Sequence, residues 1–581
     1  MKSPLTDNGR LLLESRYLKK DPSGKLLETP EEMFARVARN VASAEDHYAR
    51  GRPAAEVEAE SLDALLSLDF LPNSPTLMNA GRQLQQLAAC FVLGIEDSIE
   101  NIFETLKNSA RIHQSGGGTG FSFSRLRPRG DYVSTSGGQA SGPLSFIRIF
   151  NQATEAINQG GFRRGANMAI LRVDHPDIHD FITAKETEGE LVNFNLSVAV
   201  TDAFMESLSD GNSYALVNPR TGEACGRASA TEVFELIVQN AWKNGEPGVV
   251  FIDRINAQNP TPTVGLIEAT NPCGEAPLLP FESCVLGSVN LSHVLEGAPP
   301  ACAIDWDKLR RLARMGVRFL DDVITVTRFP LPQIEQITTA NRKIGLGVMG
   351  FADMLIRMGI AYDSPAAVQT AEDVMSYISQ EADAASEDLA AERGAFPNSD
   401  RSIYSKRERP LRNAIRTTIA PTGSLSMIAG CSGGIEPIFA VAFRRHVLDG
   451  PPLEEVHPDF LPLCRQQGFA ASDALMENVV QTGRARPIKE LPELVRRLFV
   501  TSLEVPPLQH LKVQAAFQRH TDNAVSKTLN LPAESTPADV REIFLKAYEL
   551  GCKGVTVYRD TSRLSQVLAV ECCQPGGACE D

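Results

Sequence analysis

Along this chain, apolar and polar positions first follow the helical period. Thr29-Pro30-Glu31-Glu32 places an N-cap residue, a proline at the first helical position and an acid at the third, a capping box. Phe34, Val37, Ala38 and Val41 follow at helical spacing, so residues 1–70 read as a helical segment after a short lead-in. Asp97-Ser98-Ile99-Glu100 opens another helix, with Ile99, Ile102, Phe103 and Leu106 on one face. The glycines of Ser115-Gly116-Gly117-Gly118-Thr119-Gly120 stop it. An amphipathic stretch over 142–158 ends at Gln159-Gly160-Gly161. Val192-Asn193-Phe194-Asn195-Leu196-Ser197-Val198 alternates apolar and polar residues and predicts a half-buried strand. From about 200 to 560, helical patterns alternate with short apolar strands and Gly/Pro turns, the rhythm of an α/β architecture. After Val570, Glu-Cys-Cys-Gln-Pro-Gly-Gly-Ala-Cys-Glu-Asp has nothing to form a core and predicts a mobile tail.

Composition narrows the function classes. A formal net charge of −15 disfavours non-specific nucleic-acid binding, which needs clustered Lys and Arg. The opening MKSPLTDNGR lacks the apolar core of a signal peptide, and no run of about 18 apolar residues could span a bilayer. The expectation is a soluble, cytoplasmic protein. Eleven cysteines in such a chain argue against a disulfide framework, and most should be buried and inert. Those beside acids or gathered on a tail are better candidates for chemistry.

The most informative segment is Asn271-Pro272-Cys273-Gly274-Glu275, followed by Pro277, Pro280 and Cys284. Pro and Gly make it a constrained loop that can project one thiol between an amide and a carboxylate. Taken alone, it reads first as a buried structural cysteine in a turn. Two further segments join it. One is Leu71-Pro72-Asn73-Ser74-Pro75-Thr76-Leu77-Met78-Asn79-Ala80-Gly81 together with Cys90. The other is Ile419-Ala420-Pro421-Thr422-Gly423-Ser424-Leu425-Ser426, where small residues at a helix start leave backbone N–H groups for a phosphate. Gly345-Leu346-Gly347-Val348-Met349-Gly350 fits the dinucleotide pattern G-x-G-x-x-G, but Asn341-Arg342-Lys343 precedes it. NAD binding is not expected from it.

Together these segments resemble the ribonucleotide reductase large-chain family, specifically its cobalamin-dependent branch. The likeness runs in fixed order over nearly the whole chain. It includes Gly-Gly-Gly-Thr-Gly, Gly160-Gly161-Phe162-Arg163-Arg164-Gly165-Ala166, Ala340-Asn341-Arg342-Lys343-Ile344 through Gly350, and the cysteine tail. The resemblance implies a ten-stranded α/β barrel of two antiparallel five-stranded parallel halves around a central finger loop. It implies an N-terminal helical segment over 1–70 and a catalytic barrel over 71–565, with an effector-loop and dimer-helix region at 97–167. A redox-active tail over 566–581 completes the expected organisation.

The implied chemistry is reduction of ribonucleotides, diphosphates by likeness to dimeric members, to 2′-deoxyribonucleotides through a thiyl radical initiated by adenosylcobalamin. Cys273 matches the radical position, Glu275 the carboxylate that takes the 3′-OH proton, and Asn271 the amide that orients that hydroxyl. Cys90 and Cys284 match the reducing pair that ends each turnover as a disulfide. Cys572, Cys573 and Cys579 match a shuttle to a thioredoxin-like or small dithiol reductant. A zinc knuckle is the competing reading of the tail, but three cysteines fall short of a closed site, so no metal is expected. Substrate contacts carry over to Ser74, Ala89, Cys90, Gly118, the 271–275 loop (Asn271, Pro272, Cys273, Gly274, Glu275), and Pro421, Thr422, Gly423, Ser424 and Leu425. A deoxynucleoside triphosphate effector at a homodimer interface would meet Asp97, Arg127, Arg163 and Arg164. Asp97 reads equally as a plain helix N-cap.

Oxygen-dependent relatives take their radical from a separate subunit through a tyrosine pair, and anaerobic ones use a glycyl radical. Asn-Pro-Cys-Gly-Glu and Tyr558-Arg559-Asp560-Thr561-Ser562-Arg563-Leu564 resemble the cobalamin branch more closely. About 70 residues precede the Asn-Ser-Pro-Thr stretch, too few for a regulatory ATP-binding module, so on/off control by ATP and dATP is expected to be absent. The alternatives are the large subunit of an oxygen-dependent reductase and, from another class, a cysteine hydrolase using Cys273. The hydrolase needs a histidine base, and His113, His175, His179 and His293 offer no recognisable pairing.

Overall fold

Helix formation at the N-terminus follows the local signals. Thr29 accepts a hydrogen bond from the Glu32 N–H, Glu32 accepts one from the Thr29 N–H, and the helix Pro30–Ala42 buries Phe34, Val37, Ala38 and Val41. A second helix, Ala54–Leu66, packs against it. The structure, a computed structural model, describes residues 3–134, 137–158, 165–445 and 453–562. The tail cysteines Cys572, Cys573 and Cys579 and the arginines Arg163 and Arg164 lie outside the described residues.

The barrel has two parallel halves. Strands Cys90–Leu93, Gly118–Ser122, Asn167–Arg172, Phe194–Val200 and Gly248–Phe251 pair in that order, all parallel. In the other half, Glu282–Asn290 pairs parallel with Ile344–Met349, and Thr528–Leu531 pairs parallel with Gly554–Arg559. Parallel bridges Leu346–Thr417 and Ile419–Val525 insert residues 417–419 between these two pairs as the fifth member. The halves meet antiparallel at both seams, Cys90 opposite Cys284 and Val249 opposite Val555. The expected barrel is therefore present, with one member reduced to isolated bridges.

A finger hairpin of Ala269–Thr270 and Pro277–Leu278 lies against the strands Gly118–Ser122 and Asn167–Arg172. Ala269, Ala276 and Leu278 pack with Cys90, Met168, Ile170, Ala199 and Cys284 in a small apolar cluster separate from the main core. The hairpin approaches so closely that a Cβ on Gly120 would lie 1.7 Å from the Thr270 carbonyl oxygen. Only glycine fits there.

Three local expectations change. The segment read as a half-buried strand begins at Phe194 and is buried throughout except at Asn195. A parallel strand with neighbours on both edges and both faces covered loses its polar side. Ser98, not Asp97, caps the helix Ile99–Gln114, accepting from the Asn101 N–H, while Ile99 and Phe103 on the expected inner face are exposed. Of the eight described cysteines four are buried, so inert burial is not the majority state. The G-x-G-x-x-G segment is itself the buried strand Ile344–Met349. A Cβ on Gly347 would lie 2.3 Å from the Thr418 carbonyl oxygen, so this glycine serves strand packing and not a phosphate turn.

The helical segment is tied to the barrel by buried charge. Arg393 spans Asp321 at 2.8 Å, Asp322 at 2.7 Å and Glu45 at 2.6 Å. Arg318, Arg342 and Arg412 complete the cluster through Glu45 and Asp321.

Candidate active site

The finger hairpin carries Asn271–Glu275 at its tip as turns, and its geometry is fixed from several sides. The Asn271 N–H donates to the Ala276 carbonyl at 3.1 Å and the Ala276 N–H to Asn271 Oδ1 at 3.0 Å. Gly274 takes φ +82°, which favours glycine, and its N–H donates to the Asn271 carbonyl. Asn195, on the neighbouring strand, donates to the Pro272 carbonyl at 2.8 Å. The Ala524 N–H holds the Glu275 carbonyl from the opposite half of the barrel at 3.1 Å. Asn271, Pro272 and Glu275 are buried, whereas Cys273 is exposed.

These side chains converge. Asn271 Nδ2 donates to Cys90 Sγ at 3.0 Å, and the Cys90 thiol donates weakly to Glu275 Oε1 at 3.9 Å. Cys90 and Cys284 are directly opposed across antiparallel strands. Such partners have Cα atoms about 4.5–5.5 Å apart, inside the roughly 7 Å that a disulfide requires. Burial, then the Glu275 carboxylate and the neighbouring thiols, push the Cys90 thiol well up, against the Asn271 bond. Burial, then Glu282 and Glu275, do the same to Cys284. At rest both are held as protonated thiols, the form that carries hydrogen and electrons together.

A cavity of about 280 Å³ opens over this group. Every expected substrate contact except Gly274 lines it: Ser74, Ala89, Cys90 and Gly118 on one side, Asn271, Pro272, Cys273 and Glu275 on the finger, and Pro421 to Leu425 across from them. Thr422 N-caps the helix Gly423–Ala429, so the last group is a helix start as expected. Ser74 begins the helix Ser74–Asn79, and its Oγ lies 2.7 Å from the Tyr17 hydroxyl, which ties the cavity wall to the N-terminal helices. Asn73, Gly117, Ala166 and Ser288 also line the cavity and were not expected. Asn73 and Gly117 lie inside motifs already singled out, so adjacency could have found them.

No histidine lines the cavity among the described residues. His113 is buried, which pulls it down to about 4, and its Nε2 lies 2.9 Å from Thr119 Oγ1. A cysteine hydrolase would find no base here. Away from the cavity, Arg127 pairs with Asp97 at 2.8 Å and its backbone N–H donates to the same carboxylate. The structure thus brings those two expected effector residues together.

A thiol on a braced loop, a carboxylate and one thiol of a facing pair around a ligand-sized cavity define an enzyme of thiol-based redox chemistry. The chain belongs to the ribonucleotide reductase large-chain family: the description "Ribonucleotide reductase, barrel domain" matches residues 88–558, and "Ribonucleotide reductase, all-alpha domain" matches residues 3–85. Among curated relatives, it is 50% identical to the vitamin B12-dependent ribonucleoside-diphosphate reductase of Mycobacterium tuberculosis, covering 97% of this chain and 80% of the relative. It is 47% identical to the protein of the same name from Thermoplasma acidophilum, with the same coverage. Against the ribonucleoside-diphosphate reductase subunit alpha of Chlamydia muridarum, identity falls to 26%, covering 95% of this chain and 58% of the relative.

Proposed function

We infer that this protein reduces ribonucleoside diphosphates to 2′-deoxyribonucleotides in a vitamin B12-dependent reaction, with adenosylcobalamin as the cofactor. The observation that carries the reading is the convergence of Cys273, Glu275, Asn271 and Cys90 on one cavity, with Cys284 directly opposed to Cys90 behind its wall. The large subunit of an oxygen-dependent reductase is the weaker reading, because two relatives named as B12-dependent, at 47% and 50% identity, are nearly twice as similar as the alpha subunit at 26%.

The residues fit such a cofactor at one point. Cys273 is exposed at the finger tip, and a Cβ added to Gly274 would meet nothing within 4 Å, so a bulky group can approach the thiol. Cys273 and Gly274 are the residues that would meet it. When bound, the cofactor would supply a radical centre able to accept the hydrogen atom of the Cys273 thiol. Cys273 then abstracts the 3′ hydrogen, which makes loss of the 2′-OH as water feasible. Glu275 takes the 3′-OH proton and Asn271 orients that hydroxyl. Cys90 and Cys284 supply two electrons and two protons and become a disulfide. The N–H groups at the start of the helix Gly423–Ala429 receive the phosphates.

The finer assignments belong to the same reading. The domain limits are 1–70, 71–565 and 566–581, and Cys572, Cys573 and Cys579 relay reducing equivalents from a dithiol protein. Ile99, Phe103 and Ile149 are exposed on the mutually packed helices Ile99–Gln114 and Pro143–Asn158, an apolar face suited to a second copy of this chain. The Asp97–Arg127 pair stands at the start of that face, where a deoxynucleoside triphosphate effector would bind with Arg163 and Arg164. The test is the purified chain with adenosylcobalamin, dithiothreitol and each ribonucleotide. Deoxynucleoside diphosphate formation without a second protein is the expected result; a requirement for a separate subunit would overturn the B12 reading.

A further inference from the structure

One buried charge pair has no part in the chemistry above, and it stands behind the reducing thiols. Lys343 and Glu282 are both 0% exposed, and Lys343 Nζ lies 2.6 Å from Glu282 Oε2. Glu282 is also held by the Asn341 amide at 2.7 Å and the Leu279 N–H at 2.8 Å. Burying two charges without water is costly and is not by itself a source of stability. The strand register gives the pair a different use. Val285 pairs with Ile344 in the parallel ladder, so one step back Lys343 flanks Cys284 on the side opposite Cys90. Glu282 precedes Cys284 by two residues on the same strand, hence on the same face. The row across the barrel wall runs Cys90, Cys284, Lys343.

The two sulfurs of this row are not equivalent. Cys90 lines the cavity and touches Asn271 and Glu275, whereas Cys284 is 0% exposed and does not line it. We propose that reduction of the Cys90–Cys284 disulfide is directional: an incoming thiolate attacks Cys90 Sγ, and Cys284 departs as a thiolate on the side of the Lys343 ammonium. Lys343 is then a positioning residue for the leaving group. The inference rests on the redox role given to Cys90 and Cys284 above.

The exchange balances. The first thiolate of a dithiol forms a bond to Cys90 Sγ, the Cys90–Cys284 bond breaks, and its electron pair leaves on Cys284. The second thiolate of the dithiol attacks its own first sulfur, closes the dithiol's disulfide and releases Cys90. Two electrons pass to the pair, and the two protons of the dithiol end on Cys90 and Cys284. A stabilised leaving thiolate speeds such exchange. Of the charged groups acting on Cys284, Glu282 and Glu275 each oppose the thiolate more strongly than Lys343 favours it, so Lys343 is the one cation that offsets them.

The test begins by oxidising the full chain and confirming the Cys90–Cys284 disulfide by peptide mapping. Failure of that disulfide to form would overturn the redox assignment itself, separately from the present inference. The oxidised protein is then exposed to 2-mercaptoethanol, quenched with iodoacetamide in denaturant and mapped. The expected result is a mixed disulfide on Cys90 and alkylation on Cys284; the reverse pattern overturns directionality. In parallel, the variant Lys343→Met removes that cation and leaves Glu282 held by the Asn341 amide and the Leu279 N–H. Its disulfide should be reduced by dithiothreitol on the order of tenfold more slowly across the pH range, while alkylation of the exposed Cys273 proceeds at the wild-type rate. An unchanged reduction rate in a variant with normal Cys273 alkylation overturns the role of Lys343. Should Lys343→Met fail to fold, the adduct mapping on the wild-type chain decides the attack site.

Discussion

At the level of single residues, the three thiols Cys273, Cys90 and Cys284 divide the work, and substitution separates them. Cys273→Ser keeps the shape of the finger tip but replaces an S–H bond with a much stronger O–H bond. Deoxynucleotide formation should fall below detection while substrate still binds, measured by product assay and equilibrium binding; appreciable product would remove Cys273 from its assigned role. Cys90→Ser and Cys284→Ser leave radical initiation possible but strand one reducing thiol, since the two are opposed across the seam. Each variant should begin the reaction and fail to sustain turnover, so repeated cycles in either would show the pair misassigned. These residues were legible because Pro and Gly around Cys273 announce a braced loop and because the segments recur in a familiar order. Asn195, Glu282 and Lys343 were not legible in the same way. Their meaning depends on strand register between segments tens of residues apart, which no local pattern reveals.

Among elements, the finger hairpin depends on the strand it crosses. A Cβ at Gly120 would overlap the Thr270 carbonyl at 1.7 Å, so Gly120→Ala must push the hairpin away from the strand Gly118–Ser122. Overpacking of this kind costs about 1–3 kcal/mol. The barrel should survive it, with a lowered urea midpoint, but the Cys273 loop would lose its position. Activity should fall at least about tenfold, the effect expected when a reacting group is displaced by a fraction of an ångström to an ångström. Wild-type activity in Gly120→Ala would show that the hairpin adapts freely. Helices with caps were readable from sequence, as Thr29 and Glu32 demonstrate. Strand faces were less so. The strand Phe194–Val200 is covered on both sides, and 417–419 joins the barrel through isolated bridges too short to leave a periodic signal. Ile99 and Phe103 follow the helical period yet point outward, because periodicity marks an apolar face without saying what covers it.

Across the whole molecule, the helical segment and the barrel share the buried cluster around Arg393, and that cluster makes stability depend on pH. Burial raises Asp322 to about 8, while the arginines Arg342, Arg412 and Arg393 outweigh burial at Asp321 and hold it well below the usual range. An unfolded aspartate titrates near 3.9, so between about pH 4 and 8 the folded state keeps a proton on Asp322 that the unfolded state has lost. Stability contributed at this site therefore falls as pH rises through that window. In urea titrations at pH 5 and pH 7.5, Asp322→Asn should show a smaller drop than wild type; equal drops would place the pH dependence elsewhere. The last prediction concerns how reducing equivalents reach the interior. Residues 571–581 hold three cysteines and almost no apolar side chains, so their removal should leave the folded barrel nearly as stable. Truncation after Val570 keeps Cys90, Cys273 and Cys284, and a first turnover should proceed. Dithiothreitol is small enough to enter the cavity of about 280 Å³ and reach Cys90 directly, so it should sustain the truncated enzyme. A dithiol protein is far larger than that cavity and needs a carrier for its electrons. With a protein reductant the truncated chain should stop after the first turnover, while the full chain continues. Equal steady-state rates for the two chains with the protein reductant would rule out the shuttle and leave Cys572, Cys573 and Cys579 to be explained otherwise.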